Sequence, residues 1–247
     1  VTYIDPAVFR DIDLLCLDAG NTVVFLDHAR LARLCVREDF PTTDQALLRA
    51  EGEAKHVLEE GGLRDIAWSH AHVPCARGWA TTVGTILYLA GLTLERIPRT
   101  LDALWPDHCS RNFWSLVPDG LAESLGRVRA HGVHVAVVSN SEGMLESLFD
   151  ELGILRAIDL VVDSGVVGIE KPDARIFRIA LDYFGVPPAR ALHLGDNFVT
   201  DVVGARAAGV RVALVDPFGH LDGRHGDVPR VASAPDVARA IAEARGA

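Results

Sequence analysis

A chain of 247 residues can bury a substantial core, either as one large domain or as a domain carrying an insertion. Its 49% hydrophobic and 23% charged residues describe an ordinary globular protein, neither disordered nor fibrous. A formal charge of -10 argues against a general binder of nucleic acid or anionic membranes, surfaces that call for an excess of Lys and Arg, while leaving room for a local cationic pocket.

The first predicted strand is the apolar run Leu14-Leu15-Cys16-Leu17, the signature of a strand buried on both faces. It breaks into Asp18-Ala19-Gly20-Asn21-Thr22, which puts a carboxylate at the carboxyl end of a strand, where open parallel sheets bind ligands. A plain turn, with Asp18 as a cap and Gly20-Asn21 reversing the chain, fits the same residues. From about Asp27 to Trp114 leucine, alanine and arginine recur at helical spacing. Helices are predicted over Ala29 to Glu38, Gln45 to Glu60 and the more apolar Trp79 to Leu92, the centre of a small bundle.

From Val117 short apolar runs alternate with amphipathic segments. Strands are predicted over Val133 to Val138, Leu160 to Asp163, Ala191 to Leu194 and Val210 to Val215. Helices are predicted over Leu121 to Ala130, Met144 to Leu152, Ala174 to Phe184, Val202 to Ala208 and Val237 to Ala244. Such alternation implies βαβ crossovers and a Rossmann-like parallel sheet, an α/β core of residues 1–26 and 115–247 interrupted by a helical insertion of residues 27–114.

The cysteines Cys16, Cys35, Cys75 and Cys109 are widely spaced without a C-x-x-C pair and read as reduced packing residues. There is no basic segment followed by an apolar run of signal-peptide length, and no apolar run of bilayer length, so a soluble cytoplasmic protein is expected. Oligomeric state is not legible in the chain.

Four polar clusters each fall just past an apolar run: Asp18 to Thr22, Ser139-Asn140, Lys171-Pro172-Asp173, and Gly195-Asp196-Asn197 with Asp201. Carboxyl ends of neighbouring parallel strands lie side by side, so these groups are expected to converge. Asp18 with Asp196 would suit Mg2+, a hard ion that combines one or two carboxylates with substrate phosphate oxygens. Lys171 and Ser139 would offset the charge of a phosphoryl group. Lys171 and Lys55 are the only lysines, against twenty-two arginines.

With these motifs in this order, ending in Gly195-Asp196-x-x-x-x-Asp201, the chain resembles the haloacid dehalogenase superfamily, with the insertion corresponding to a cap domain. The resemblance implies that Asp18 is the nucleophile and that the Gly20 backbone carbonyl helps to bind Mg2+. Thr22 would orient the nucleophile, Ser139 and Asn140 would hold phosphoryl oxygens, and Lys171 would neutralise charge. Asp196 would ligate the metal, with Asn197 and Asp201 in support. A small phosphorylated metabolite is then the expected substrate.

The departure is Gly20, where phosphatases of this superfamily carry a second aspartate as general acid and base. Its loss typically costs about 10²- to 10⁴-fold with a poor leaving group. Dehalogenases of the superfamily also lack it, and Arg49 in the insertion is a candidate to bind a substrate carboxylate. Phosphonoacetaldehyde hydrolases lack it too and use a cap lysine, a part Lys55 would play. Asp27 and His28 are the candidates to replace the missing acid. A phosphate-binding module without efficient turnover is the remaining reading.

Overall fold

The structure, a computed structural model, describes Phe9 and residues 11–63, 66–221 and 223–246. Strand β1 (Leu14–Leu17) is buried along its whole length, as a continuous apolar strand between two parallel neighbours must be. After it come the short β2 (Phe25–Leu26), helices α1 (His28–Arg37), α2 (Asp44–Glu59), α3 (Ala76–Leu89) and α4 (Ile97–Ser110), and β3 (Trp114–Leu116), which pairs with β2. The chain then alternates through α5 (Leu121–Ala130), β4 (His134–Ser139), α6 (Leu145–Glu151), β5 (Leu160–Asp163), α7 (Ser164–Val167), α8 (Ala174–Phe184) and β6 (Ala191–Gly195). It ends with a π-helical turn over Phe198–Val203, α9 (Gly204–Ala207), β7 (Arg211–Val215), β8 (Arg230–Val231) and α10 (Ala234–Gly246).

The main sheet has the order β5-β4-β1-β6-β7-β8 and is parallel throughout. From β1 the chain proceeds outward to β4 and β5, then returns to the other flank as β6, β7 and β8. The direction of winding therefore reverses between β1 and β6, the place where a doubly wound sheet opens a crevice at its carboxyl edge. The register puts Leu17 opposite both Val137 and Leu194, so Asp18, Ser139 and Gly195 all reach that edge. On one face Leu14 and Cys16 join Ala136, Val138, Ile176, Phe177 and Ala180 in a buried cluster.

The chain divides into two compact units, one made of the chain up to Phe25 together with everything from Val117 onward, the other of Leu26–Leu116. The second unit is a helical bundle whose buried core includes Leu31, Leu47, Trp79, Val83, Ile86, Leu101 and Leu104. Helix α4 is not among those that periodicity picks out; it carries Pro106 in its interior, a residue that ordinarily breaks the pattern. A second difference lies after β6. The helix expected over Val202 to Ala208 begins at Phe198 as a wide π turn, started by Asn197, whose side chain accepts the Thr200 N–H. Among the described residues no helix is long and apolar enough to cross a membrane.

Candidate active site

The N–H of Asp18 donates to Leu194 O at 2.8 Å, so Asp18 continues the β1–β6 ladder one residue past the strand. A tight turn follows, in which the Ala19 carbonyl accepts the N–H groups of Val23 and Val24, each at 2.9 Å. Asn21 takes φ 55°, the left-handed region that asparagine tolerates better than most residues with a Cβ. From there its Nδ2 donates to Asp196 Oδ2 at 3.1 Å, linking the loop after β1 to the loop after β6. Thr22 is buried; its Oγ1, like Asn21 Oδ1, has no hydrogen-bond partner among the described residues, so the structure shows no bond from Thr22 to Asp18.

Lys171 reaches the same edge from the loop after α7 rather than directly from β5. Its main chain is fixed by the Asn140 side chain, since Lys171 N–H donates to Asn140 Oδ1 at 2.7 Å and Asn140 Nδ2 donates to Lys171 O at 3.0 Å. The amide of Asn140 thus acts like an extra strand partner at the end of β4. Ser139, the last residue of β4, is buried beside it in sequence. The loop that follows is held by Asp163, whose Oδ1 accepts the N–H groups of Gly143 (3.0 Å) and Gly165 (2.9 Å) and whose Oδ2 accepts that of Leu145 (3.1 Å). Gly165 has to be glycine there, because a Cβ would lie 2.5 Å from Gly143 N.

The Lys171 ammonium donates to Asp18 Oδ1 at 2.5 Å and to Asp201 Oδ1 at 2.6 Å, with all three groups buried. Asp201 Oδ1 also accepts from His193 Nε2 at 2.9 Å, and its Oδ2 accepts the Asn197 N–H at 3.0 Å. Asp18, Asp196 and Asp201 can each present an oxygen within 4.8 Å of the others.

The two carboxylates sharing Lys171 are driven in opposite directions. Burial, reinforced by the charges of Asp201 and Asp196, outweighs Lys171 and pushes the Asp18 carboxyl up to about 6. Burial acts on Asp201 in the same sense, but there Lys171 and His193 together win and hold its pKa below the ordinary carboxylate range. Lys171 is desolvated as well, and its two anionic partners more than compensate, keeping it charged. Burial lowers the His193 pKa, against the opposing pull of Asp201 and the Cys16 backbone.

The edge of the sheet therefore gathers Asp18, Asn140, Lys171, Asp196, Asn197 and Asp201. Asp27, His28, Arg49 and Lys55 belong to the helical unit. Asp27 Oδ1 accepts the Arg30 N–H at 2.8 Å and caps α1. His28 Nε2 pairs with the buried Glu51 at 2.7 Å. Arg49 is exposed on α2 and Lys55 half-buried on it. Sequence reasoning missed His193, Asp163 and the amide of Asn21. An imidazole inside the otherwise apolar Ala191-Leu192-His193-Leu194 is a signal in retrospect, and so is an acid ending the strand Leu160–Asp163, the same pattern that singled out Asp18.

A doubly wound parallel sheet with a buried lysine between carboxylates at its switch point makes this an α/β protein whose candidate site lies at the carboxyl edge of the sheet. The family described as haloacid dehalogenase-like hydrolase matches residues 12–209, and the chain belongs to it. It is 33% identical over 218 residues to haloacid dehalogenase-like hydrolase domain-containing protein 3 of Mus musculus, covering 85% of this chain and 84% of that one. It is 37% identical over 213 residues to a glyceraldehyde 3-phosphate phosphatase of Methanothermobacter thermautotrophicus, covering 85% of each. Among solved structures, L-2-haloacid dehalogenase of Xanthobacter autotrophicus superposes with a TM-score of 0.58 at 19% identity, over 92% of this chain and 97% of that one, a likeness of fold.

Proposed function

We propose that this chain is a Mg2+-dependent hydrolase of a small phosphorylated metabolite, working through an aspartyl-phosphate on Asp18, with residues 27–114 as the cap that sets specificity. The observation that carries the reading is the gathering of carboxylates at the switch point. Asp18, Asp196 and Asp201 can each present an oxygen within 4.8 Å of the others, beside the Lys171 ammonium that Asp18 and Asp201 share. That donor set fits a divalent, oxygen-preferring cation. Asp18 and Asp196, with the Gly20 carbonyl, would hold it. Asp201 would not, because Oδ1 is taken by Lys171 and His193 and Oδ2 by Asn197 N–H. When bound, the ion supplies positive charge to the phosphoryl oxygens.

In the first step an Asp18 oxygen attacks phosphorus and the substrate's P–O bond breaks. Lys171 and the Ser139 hydroxyl offset charge on the equatorial oxygens. Water then cleaves the aspartyl-phosphate, releasing inorganic phosphate and regenerating Asp18. Gly20 offers no proton to the leaving oxygen, so substrates whose leaving group departs without protonation are favoured. The phosphatase named above, alike over most of its length, supports the reading.

Gly20 also favours a second reading, hydrolysis of a 2-haloacid, whose halide needs no proton. The carboxylates of Asp196 and Asp201 beside Asp18 would repel that anionic substrate. The test is hydrolysis of p-nitrophenyl phosphate, with Mg2+ or with EDTA, by the wild type and Asp18→Asn, run beside halide release from 2-chloropropionate. Turnover that needs Mg2+ and is lost in Asp18→Asn supports the proposal. Halide release alone establishes the second reading, and phosphate binding without turnover on either substrate makes the chain a binding module.

A further inference from the structure

We infer that His193 is a positioning residue of this site, its Nε2–H holding the Asp201 carboxylate so that Lys171 stays shared with Asp18. The role rests on the hydrolase reading above, while the contact itself is independent of it. His193 is fully buried at the middle of β6, between Leu192 and Leu194 on the strand, with the Phe177 ring packed on it in a T-shaped pair at 4.9 Å between centroids. A leucine or phenylalanine would pack there without desolvating a polar ring, so packing alone does not account for an imidazole.

Geometry supplies the account. Nε2 lies 2.9 Å from Asp201 Oδ1, which as a carboxylate oxygen only accepts, so Nε2 carries the proton. The same Oδ1 accepts from Lys171 at 2.6 Å, and Lys171 in turn reaches Asp18 Oδ1 at 2.5 Å. Asp201 is seated tightly by the backbone too, since a Cβ on Gly195 would lie 2.2 Å from its Cγ. His193 therefore takes up part of the Asp201 charge through its Nε2–H donor. Without it Lys171 is, among the described residues, the only side-chain donor left on that oxygen, and the ammonium is drawn from Asp18 toward Asp201. Displacing a positioned group by about 1 Å costs on the order of 10²-fold in rate.

The experiment has two arms. Long-range 15N–1H NMR of the metal-free, substrate-free protein, with the imidazole assigned by its disappearance in His193→Gln, is expected to show a neutral ring protonated at Nε2. A ring protonated at Nδ1 overturns the inference whatever the enzyme acts on. In the Mg2+-loaded protein, His193→Leu is expected to lower kcat on p-nitrophenyl phosphate about 10- to 100-fold with KM within about twofold. His193→Gln, which keeps a donor at similar reach, is expected to return to within about threefold of wild type. Wild-type kcat in His193→Leu, or equal impairment of both variants, overturns it. If His193→Leu does not fold, the tautomer and the activity of His193→Gln decide. If the wild type hydrolyses no phosphate ester, the proposed function falls and the tautomer alone decides the contact.

Discussion

Replacing Asp18 by Asn should stabilise the metal-free protein at neutral pH and leave it nearly unchanged in acid. Burial, together with the neighbouring charges of Asp201 and Asp196, sets the native pKa of Asp18 near 6, against an unfolded value near 3.8. A difference of about two pH units corresponds to about 3 kcal/mol, at 1.36 kcal/mol per unit. Because the native value is the higher one, the folded protein binds this proton more tightly than the unfolded chain. The stabilisation is complete below about pH 4 and is lost as pH rises through about 6. Asn is a neutral stand-in for the protonated carboxyl and keeps that stabilisation at every pH. For a chain of this length 1 kcal/mol moves Tm by about 2–4 °C, so Asp18→Asn should melt about 6–12 °C above wild type at pH 7.5 in EDTA. At pH 4 the two should melt together. Circular dichroism melts at the two pH values make the measurement. An Asn variant that melts at or below wild type at pH 7.5, or that gains equally at both, refutes the electrostatic account. Adding Mg2+ at pH 7.5 should narrow the gap, since an ion that binds only the native state raises its stability by mass action and Asp18 is one of the proposed ligands.

Lys171→Met should cost about 3–5 kcal/mol in urea titrations without Mg2+ at pH 7.5, because it strips the cation from between two buried carboxylates. A loss below about 1 kcal/mol would mean that the carboxylates are solvated after all. Gly20→Asp should raise kcat/KM on an alkyl phosphate at least about tenfold and on p-nitrophenyl phosphate much less, since only the alkoxide needs a proton. Equal gains on both would show that the added carboxylate acts in some other way. Gly195→Ala should lose about 1–3 kcal/mol and most of its activity, because its Cβ would overlap Asp201 Cγ at 2.2 Å. Unchanged melting and kinetics would show that Asp201 shifts freely.

The parallel sheet was legible because its strands are short apolar runs without alternation, and such runs read the same from either direction of inference. So were the polar clusters past β1, β4 and β6, since residue type changes abruptly where a buried strand meets solvent. What the chain hides is which partner each group selects. Asn140 reads as a ligand for an anion, yet its amide spends two hydrogen bonds on the Lys171 main chain. Asn21 reads as a turn residue, and its Nδ2 ties Asp196 into place across 175 residues. The π turn at Phe198–Val203 escapes periodicity altogether, because a wide turn breaks the 3.6-residue repeat on which helix recognition depends.

Asp18 and Asp201 share one lysine at nearly the same distance, 2.5 and 2.6 Å, and yet their pKa values are driven apart. The difference lies in what else each carboxylate meets. Asp201 has His193 and the Asn197 N–H as further donors, which fill its oxygens and make it a fixed anion and an anchor for Lys171. Asp18 meets the repulsion of Asp201 and Asp196, which leaves it the carboxylate with most to gain from a cation or from sharing its charge with an electrophile. Environments that separate two like groups in this way are how a site assigns them different work. By that reasoning the anchor is Asp201 and the reactive carboxylate is Asp18, and the contrast is made by His193 and Asn197, neither of which touches Asp18 through a hydrogen bond found here among the described residues.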